Sequence, residues 1–182
     1  MDFIKRTIEL ARENVEQGGR PFACFMLLCA ALCSQEMIEG FWKSTNDETG
    51  KRQCVVAIYP YEGKYYGRII ATFDSEGKLS DSIGSPINHA PGIKGNPPYC
   101  GLDLVWNLVD KGPRFDGKIV DPRKGKVYDA SVWRKHNDLI IRGKLLFFGK
   151  NTTWLPADAS DLPPGFKKED IANFVPKIPK VN

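Results

Sequence analysis

Residues 40–154 predict a mainly β fold, an antiparallel up-and-down meander that closes into a small barrel, with a short helix and an N-terminal helical leader. Three observations predict it. Short runs of alternating apolar and polar residues recur from Gly40 to Trp154, the period of half-buried strands. The turns between the later runs are two to five residues long and rich in Gly, Asp, Asn and Lys, which suits antiparallel hairpins. A meander left open would expose two unpaired edges, and closure removes both.

The elements follow in order. Phe41-Trp42-Lys43 opens the first strand, and Asn46 to Gly50 turns it. Gln53 to Tyr59 and Lys64 to Phe73 form a pair about Glu62-Gly63. The second of these is not cleanly amphipathic: Tyr65, Gly67, Ile69, Ala71 and Phe73 fall on one face, and Tyr66, Arg68, Ile70 and Thr72 on the other. Residues 74–100 are rich in Gly, Pro, Ser and Asp and read as one long loop, a feature more often functional than idle. Apolar residues at 102, 104, 105, 108 and 109 predict a short helix over Leu102–Val109. A second meander follows: Gly117 to Val120, a turn over Asp121–Gly125, Lys126 to Trp133, a turn at His136-Asn137-Asp138, Leu139 to Phe148, a turn at Gly149-Lys150, and Asn151 to Leu155.

Both ends differ from this body, so the chain divides into 1–33, 34–156 and 157–182. Phe3, Ile4, Ile8, Ala11 and Val15 recur at helical spacing until Gly18-Gly19 ends the pattern. Phe22–Leu32 is an uncharged run of eleven behind Arg20, too short to span a bilayer and suited to the core of a secretory signal. Ala31-Leu32-Cys33 offers small residues for cleavage before Ser34; Cys33 as an acylated residue fits poorly, because Leu32 stands where a small side chain is needed. The alternative is a buried helix or strand of a cytosolic protein. The last segment holds Pro156, Pro163, Pro164, Pro176 and Pro179 and reads as a poorly packed extension.

Composition narrows function. A net charge of +4 is mild, and residues 1–33 carry four charges of each sign, so no concentrated basic stripe points to nucleic acid. No C-x-x-C occurs, and the two histidines, His89 and His136, are too isolated to anchor a metal. No nucleophile elbow, phosphate-binding loop or dinucleotide fingerprint is present, so no catalytic residue, metal or cofactor is assigned.

Two resemblances bear on this. DFIKRTIELARENVEQGGRPFA, residues 2–23, resembles the first helix of the cytidine/guanine deaminase superfamily. That family's chemistry needs H-x-E and P-C-x-x-C, whereas His89-Ala90-Pro91 lacks the Glu and Pro98-Tyr99-Cys100 lacks the second Cys. The active site is absent. The second is carried by Gly40-Phe41-Trp42-Lys43, Gly92-Ile93-Lys94-Gly95-Asn96-Pro97, Gly101-Leu102-Asp103, Gly117-Lys118-Ile119-x-Asp121-Pro122-x-x-Gly125-Lys126-x-Tyr128, Arg142-Gly143 and Thr153-Trp154. In this order they resemble a bacterial exported family known only as domain of unknown function 2147. The resemblance implies a lipocalin-like or calycin-like barrel and an exported location, and transfers no catalytic residue. Gly40-x-Trp42 also resembles the lipocalin G-x-W, which implies a structural Trp42 beneath an Arg; Arg142 is the matching candidate.

A barrel is a container, so binding is the expected activity. The partner expected is a small apolar or amphipathic ligand, with no nucleic acid and no transmembrane span. Candidate ligand contacts are the aromatics Tyr65, Trp106, Tyr128 and Trp133, the loop residues Lys94 and Asn96, and Asp103 within an apolar stretch. An eight-stranded barrel can instead fill itself with side chains, which would make this an envelope structural or interaction protein. Cys54 and Cys100 would be the cysteines left after cleavage, either bridged or as two buried thiols. The mature chain should begin at Ser34 in the cell envelope. N-terminal sequencing of the envelope fraction checks this, and a chain starting at Met1 in the cytosol would refute it.

Overall fold

The computed structural model describes residues 37–46, 49–145 and 148–182. The helical leader, the apolar run and the cleavage site lie outside the described residues. Among those described, nine strands form one antiparallel sheet: β1 Gly40–Thr45, β2 Arg52–Tyr61, β3 Lys64–Phe73, β4 Leu79–Ser82, β5 Asp103–Asp110, β6 Phe115–Asp121, β7 Lys126–Lys135, β8 Asp138–Leu145 and β9 Phe148–Pro156. Each of β1–β3 and β5–β9 pairs with a neighbour on either side, and the β2–β3 pairing closes these eight into a barrel. The ninth, β4, pairs only with the end of β3. The expected fold class is correct, and its turn chemistry is visible at Glu62-Gly63, where φ of 47° and 73° meets the needs of a two-residue hairpin. The β8–β9 reversal falls between Leu145 and Phe148, ahead of the Gly149-Lys150 turn expected from sequence.

The helix expected over Leu102–Val109 is instead β5. Its pairing with β6 shifts register between Trp106 and Val109, and Asn107 adopts φ +52°. This bulge lengthens the step between the inward residues Val105 and Leu108 from two positions to three, which mimics helical spacing. Gly117 lies across from the bulge; a Cβ there would sit 2.6 Å from the Trp106 carbonyl oxygen and 2.8 Å from that of Asn107.

The two apolar faces of β2 and β3 serve two cores. Val56, Ile58 and Ile69 point into the barrel, where they meet Trp42, Leu108, Phe115, Val132 and Leu139. Val55, Ala57, Tyr59, Tyr66 and Ile70 point outward and are covered by the long loop and the C-terminal segment. The segment 157–182 is therefore packed, not a loose extension. Ile171, in a 3-10 turn over Lys168–Asn173, is 6% exposed, and Phe166 and Phe174 join the same outer core. Sequence reading treats each strand by its alternation alone and misses that a strand apolar on both faces requires a cover on both.

The cover is fastened at two points. Arg68 Nε and Nη2 donate to Asp103 Oδ1 and Oδ2 at 3.0 and 3.1 Å, and Tyr59 Oη donates to Asp103 Oδ1 at 3.0 Å. Arg68 Nη2 also donates to the Val175 carbonyl at 2.6 Å, the Lys177 N–H donates to Asp103, and the Phe174 ring lies 4.5 Å from the guanidinium carbon. Asp103 is fully buried and Arg68 is 3% exposed. Burial and then the Asp103 charge push the Tyr59 phenol far above its ordinary pKa. At the other end, buried Asp161 accepts from Lys43 Nζ and Arg52 Nη1, both at 2.8 Å. The hydrogen bonds from these cations hold the Asp161 carboxyl below its usual range, against the upward push of burial.

Trp42 is structural, as expected: it is 3% exposed, and its Nε1 donates to the Ile38 carbonyl at 2.9 Å. Its cation is Arg134, whose guanidinium lies 4.8 Å from the ring centre, and not Arg142. Strand parity explains the correction. Ile141 points inward, so Arg142 faces out and is exposed, whereas Arg134 pairs with inward Leu139 at the barrel end.

Asp103→Leu leaves the buried Arg68 charge unpaired and should cost about 3–5 kcal/mol in urea denaturation. Adding Arg68→Met should recover part of that loss. In both variants limited proteolysis should cut near Val175–Lys177, where the native chain resists; an uncut tail would show that the ion pair does not hold it.

Candidate ligand cavity of the barrel

One end of the barrel is filled and the other is hollow, and the sizes of the inward residues explain why. At the closed end Trp42, Leu108, Phe115, Val132 and Leu139 meet across the axis. Toward the other end the inward positions become small or polar: Ser44, Cys54, Thr72, Gly143 and Thr152. They leave a cavity of ≈ 1100 Å³, just above the roughly 300–1,000 Å³ usual for small-molecule sites. Its deeper wall is apolar, with Ile69, Leu104, Ile119, Ile141 and Trp154. Its mouth is formed by Gln53, Phe73, Asp121, Arg123, Tyr128 and Lys150, with Asn88, His89 and Tyr99 reaching over from the long loop.

The mouth is held by backbone. The Gly92 N–H donates to the Pro122 carbonyl at 3.0 Å, and a Cβ on Gly92 would lie 2.2 Å from the Gly125 nitrogen. The loop therefore rests directly on the β6–β7 turn that carries Arg123, in a space that admits only glycine. Asp121 braces the same turn by accepting from the Arg123 and Lys124 N–H groups at 3.0 and 3.2 Å. Buried Asp81 organises the rest of the loop, accepting from the N–H groups of Ile87 and Asn88 at 2.8 and 3.0 Å.

Of the residues singled out from sequence, Tyr128 lines the cavity. Tyr65 points into the barrel at its closed end, edge-on to Phe115 with ring centres 5.3 Å apart. Lys94 and Asn96 are exposed and do not line the cavity; the Lys94 N–H donates to the Lys180 carbonyl, and Asn96 takes a left-handed turn position at φ +46°. Asp103 and Trp106 belong to the outer face, the first in the ion pair with Arg68 and the second in the outer core. Trp133 faces outward opposite Ile140. Arg123, Lys150, His89, Tyr99 and Cys54 were not singled out. Parity carried a signal for Lys150, which shares its face of β9 with Thr152 and Trp154 and pairs with inward Gly143. Among the described residues no group of three or more His, Cys, Asp or Glu side chains forms a metal site.

Cys54 and Cys100 are free thiols. Burial is the main cause that pushes Cys54 up to about 11 and Cys100 up to about 12. What exposure Cys54 keeps is toward the cavity. Both should therefore stay protonated and react slowly with iodoacetamide at pH 8, faster as pH approaches 11, and readily once the protein is unfolded. Peptide-level mass spectrometry checks this. A thiol whose folded pKa is raised adds stability that is present below about pH 9 and lost as pH rises through about 11, so the urea midpoint should fall over that interval.

Comparison with known proteins agrees with this geometry. A solved structure, described as protein HP1028 from the human pathogen Helicobacter pylori belonging to the lipocalin family, superposes with a TM-score of 0.56 at 20% identity. The match covers 75% of this chain and 96% of that one, and it establishes the fold. No match is found among curated proteins. The sequence profile of a family described as an uncharacterized protein conserved in bacteria matches residues 40–155, from the start of β1 to the penultimate residue of β9. This chain belongs to that family, domain of unknown function 2147.

Proposed function

We propose that this protein is an exported binding module that holds a small apolar or amphipathic molecule inside its barrel. One observation carries the reading: the cavity of ≈ 1100 Å³, apolar at depth and open at one end, in a barrel whose other end is sealed by Trp42 and its neighbours. A barrel serving only as a scaffold has no use for small inward residues at five positions around one end, because each forgoes packing that larger side chains would supply. HP1028, described as belonging to the lipocalin family, supports a container role through its shared architecture. The export expected from the N-terminal pattern puts such a module in the envelope, where amphipathic molecules must cross an aqueous space.

Thr152→Trp tests the reading, because it fills the cavity from a wall position. The neutral probe N-phenyl-1-naphthylamine should fluoresce on binding the native protein, and the substitution should weaken this by roughly tenfold or more while the fold survives at a cost of about 1–3 kcal/mol. Native mass spectrometry of protein purified from its host should show an added small mass. A bare mass together with no probe binding would overturn the proposal.

A further inference from the structure

We propose that residues 178–182 are the latch of the cavity: they hold segment 88–99 across the mouth, and the mouth opens only when this stretch lets go. The inference deepens the binding role proposed above and rests on it for its effect on a ligand.

Segment 88–99 is a small hairpin. His89 is bridged to Pro98, the Tyr99 N–H donates to the Asn88 carbonyl at 2.9 Å, and the Ala90 N–H donates to the Pro97 carbonyl at 2.8 Å. Its base reaches over the mouth through Asn88, His89 and Tyr99. That base is fixed by Asp81 and by the Gly101 N–H, which donates to the Ile69 carbonyl at 2.8 Å. The tip is held from two sides. Toward the β6–β7 turn it has the Gly92–Pro122 hydrogen bond and the Gly92–Gly125 contact. Toward the tail the Lys94 N–H donates to the Lys180 carbonyl at 2.7 Å, Asn182 Nδ2 donates to the Pro91 carbonyl at 3.1 Å, and Ile93 pairs with Val181. Ile93 is buried there, and Val181 packs against the same outer core.

The tail can serve as a latch because its own position is set just upstream. The Lys177 N–H donates to the Asp103 carboxylate, and the Asp103 N–H donates to the Lys177 carbonyl at 3.4 Å. Ile178 and Pro179 alone separate Lys177 from Lys180, and Pro176 and the buried Pro179 restrict backbone rotation along this stretch. Little slack is left between the buried Arg68–Asp103 pair and the loop tip. The tip cannot lift from Gly125 without parting Ile93 from Val181 or pulling the tail off Asp103. None of the described residues beyond Trp154 lines the cavity, so the tail acts on the path of a ligand and not on its walls.

Hydrogen exchange read amide by amide, with stopped-flow binding of N-phenyl-1-naphthylamine, tests this on the full-length protein and on a chain shortened to end at Lys177. The Gly92 N–H is the informative amide, because its partner is Pro122 and not the tail. In the full-length protein Gly92 and Lys94 should exchange through one common opening. Shortening should speed Gly92 exchange roughly tenfold or more while amides within β7 keep their protection. Probe association and dissociation should both quicken by about that factor, with Kd within about threefold, since removing a gate eases passage in both directions. Faster dissociation with unchanged association would overturn the latch in favour of a direct ligand contact. Gly92 exchange unmoved by shortening, or separate openings for Gly92 and Lys94, would overturn the latch and leave the cavity reading standing. No probe binding by either chain would overturn the role in ligand passage, and Gly92 exchange would then decide the latch alone. Should the shortened chain not fold, Val181→Asp with Asn182→Ala, which sets a charge against Ile93, takes its place with the same expected exchange.

Discussion

The pairing of Arg68 with Asp103 is the constraint around which the molecule is arranged. Both charges sit on the outside of the barrel wall yet are almost completely removed from water. Such a pair is tolerable only when its remaining donors and acceptors are met, and here they are met by Tyr59, the Val175 carbonyl and the Lys177 N–H. Two of those three partners belong to the C-terminal segment, more than seventy residues along the chain from Asp103. The pair therefore demands the segment, and the segment in turn hides the apolar outer faces of β2 and β3. Asp161, held by Lys43 and Arg52, fixes the approach of the same segment from the far side.

This arrangement moves part of the stabilising core outside the barrel. A typical closed barrel of this size depends on its interior for apolar burial. Here Tyr59, Tyr66, Ile70, Trp106 and Val120 are buried against loop and tail, and the interior is left to fill only its closed half. The cavity is thus a consequence of how the burial is distributed. The outer core and the closed end supply the folding energy, which leaves the open end free to keep small and polar inward residues.

What the sequence made legible follows the range of the interactions involved. Strand alternation and turn chemistry are local, so the meander, the Glu62-Gly63 hairpin and the structural role of Trp42 could be read directly. The errors arise where one residue changes the count or where distant chain segments meet. A single bulged residue at Asn107 turned the period of β5 from two toward three. A choice between Arg134 and Arg142 depends on which face of the sheet each occupies, and both faces are plausible until a register is fixed. Lys94 and Asn96 looked like mouth residues because their loop is long, yet their part of it lies against the C-terminal chain through the Ile93–Val181 bridge, while Asn88, His89 and Tyr99 reach the opening. Asp103 drew notice correctly as a carboxylate in an apolar stretch; its partner, thirty-five residues earlier, assigns it to architecture.

The Gly92–Gly125 contact bears on time as well as shape. Backbone pressed on backbone has no side chain to rotate aside, so the aperture between the long loop and the β6–β7 turn cannot widen by rotamer changes at that point. A molecule leaving the cavity must pass through an opening of set width or wait for the Gly92–Pro122 hydrogen bond to break. For the ligand proposed above, affinity depends on the walls, whereas dwell time depends on this contact of two glycines.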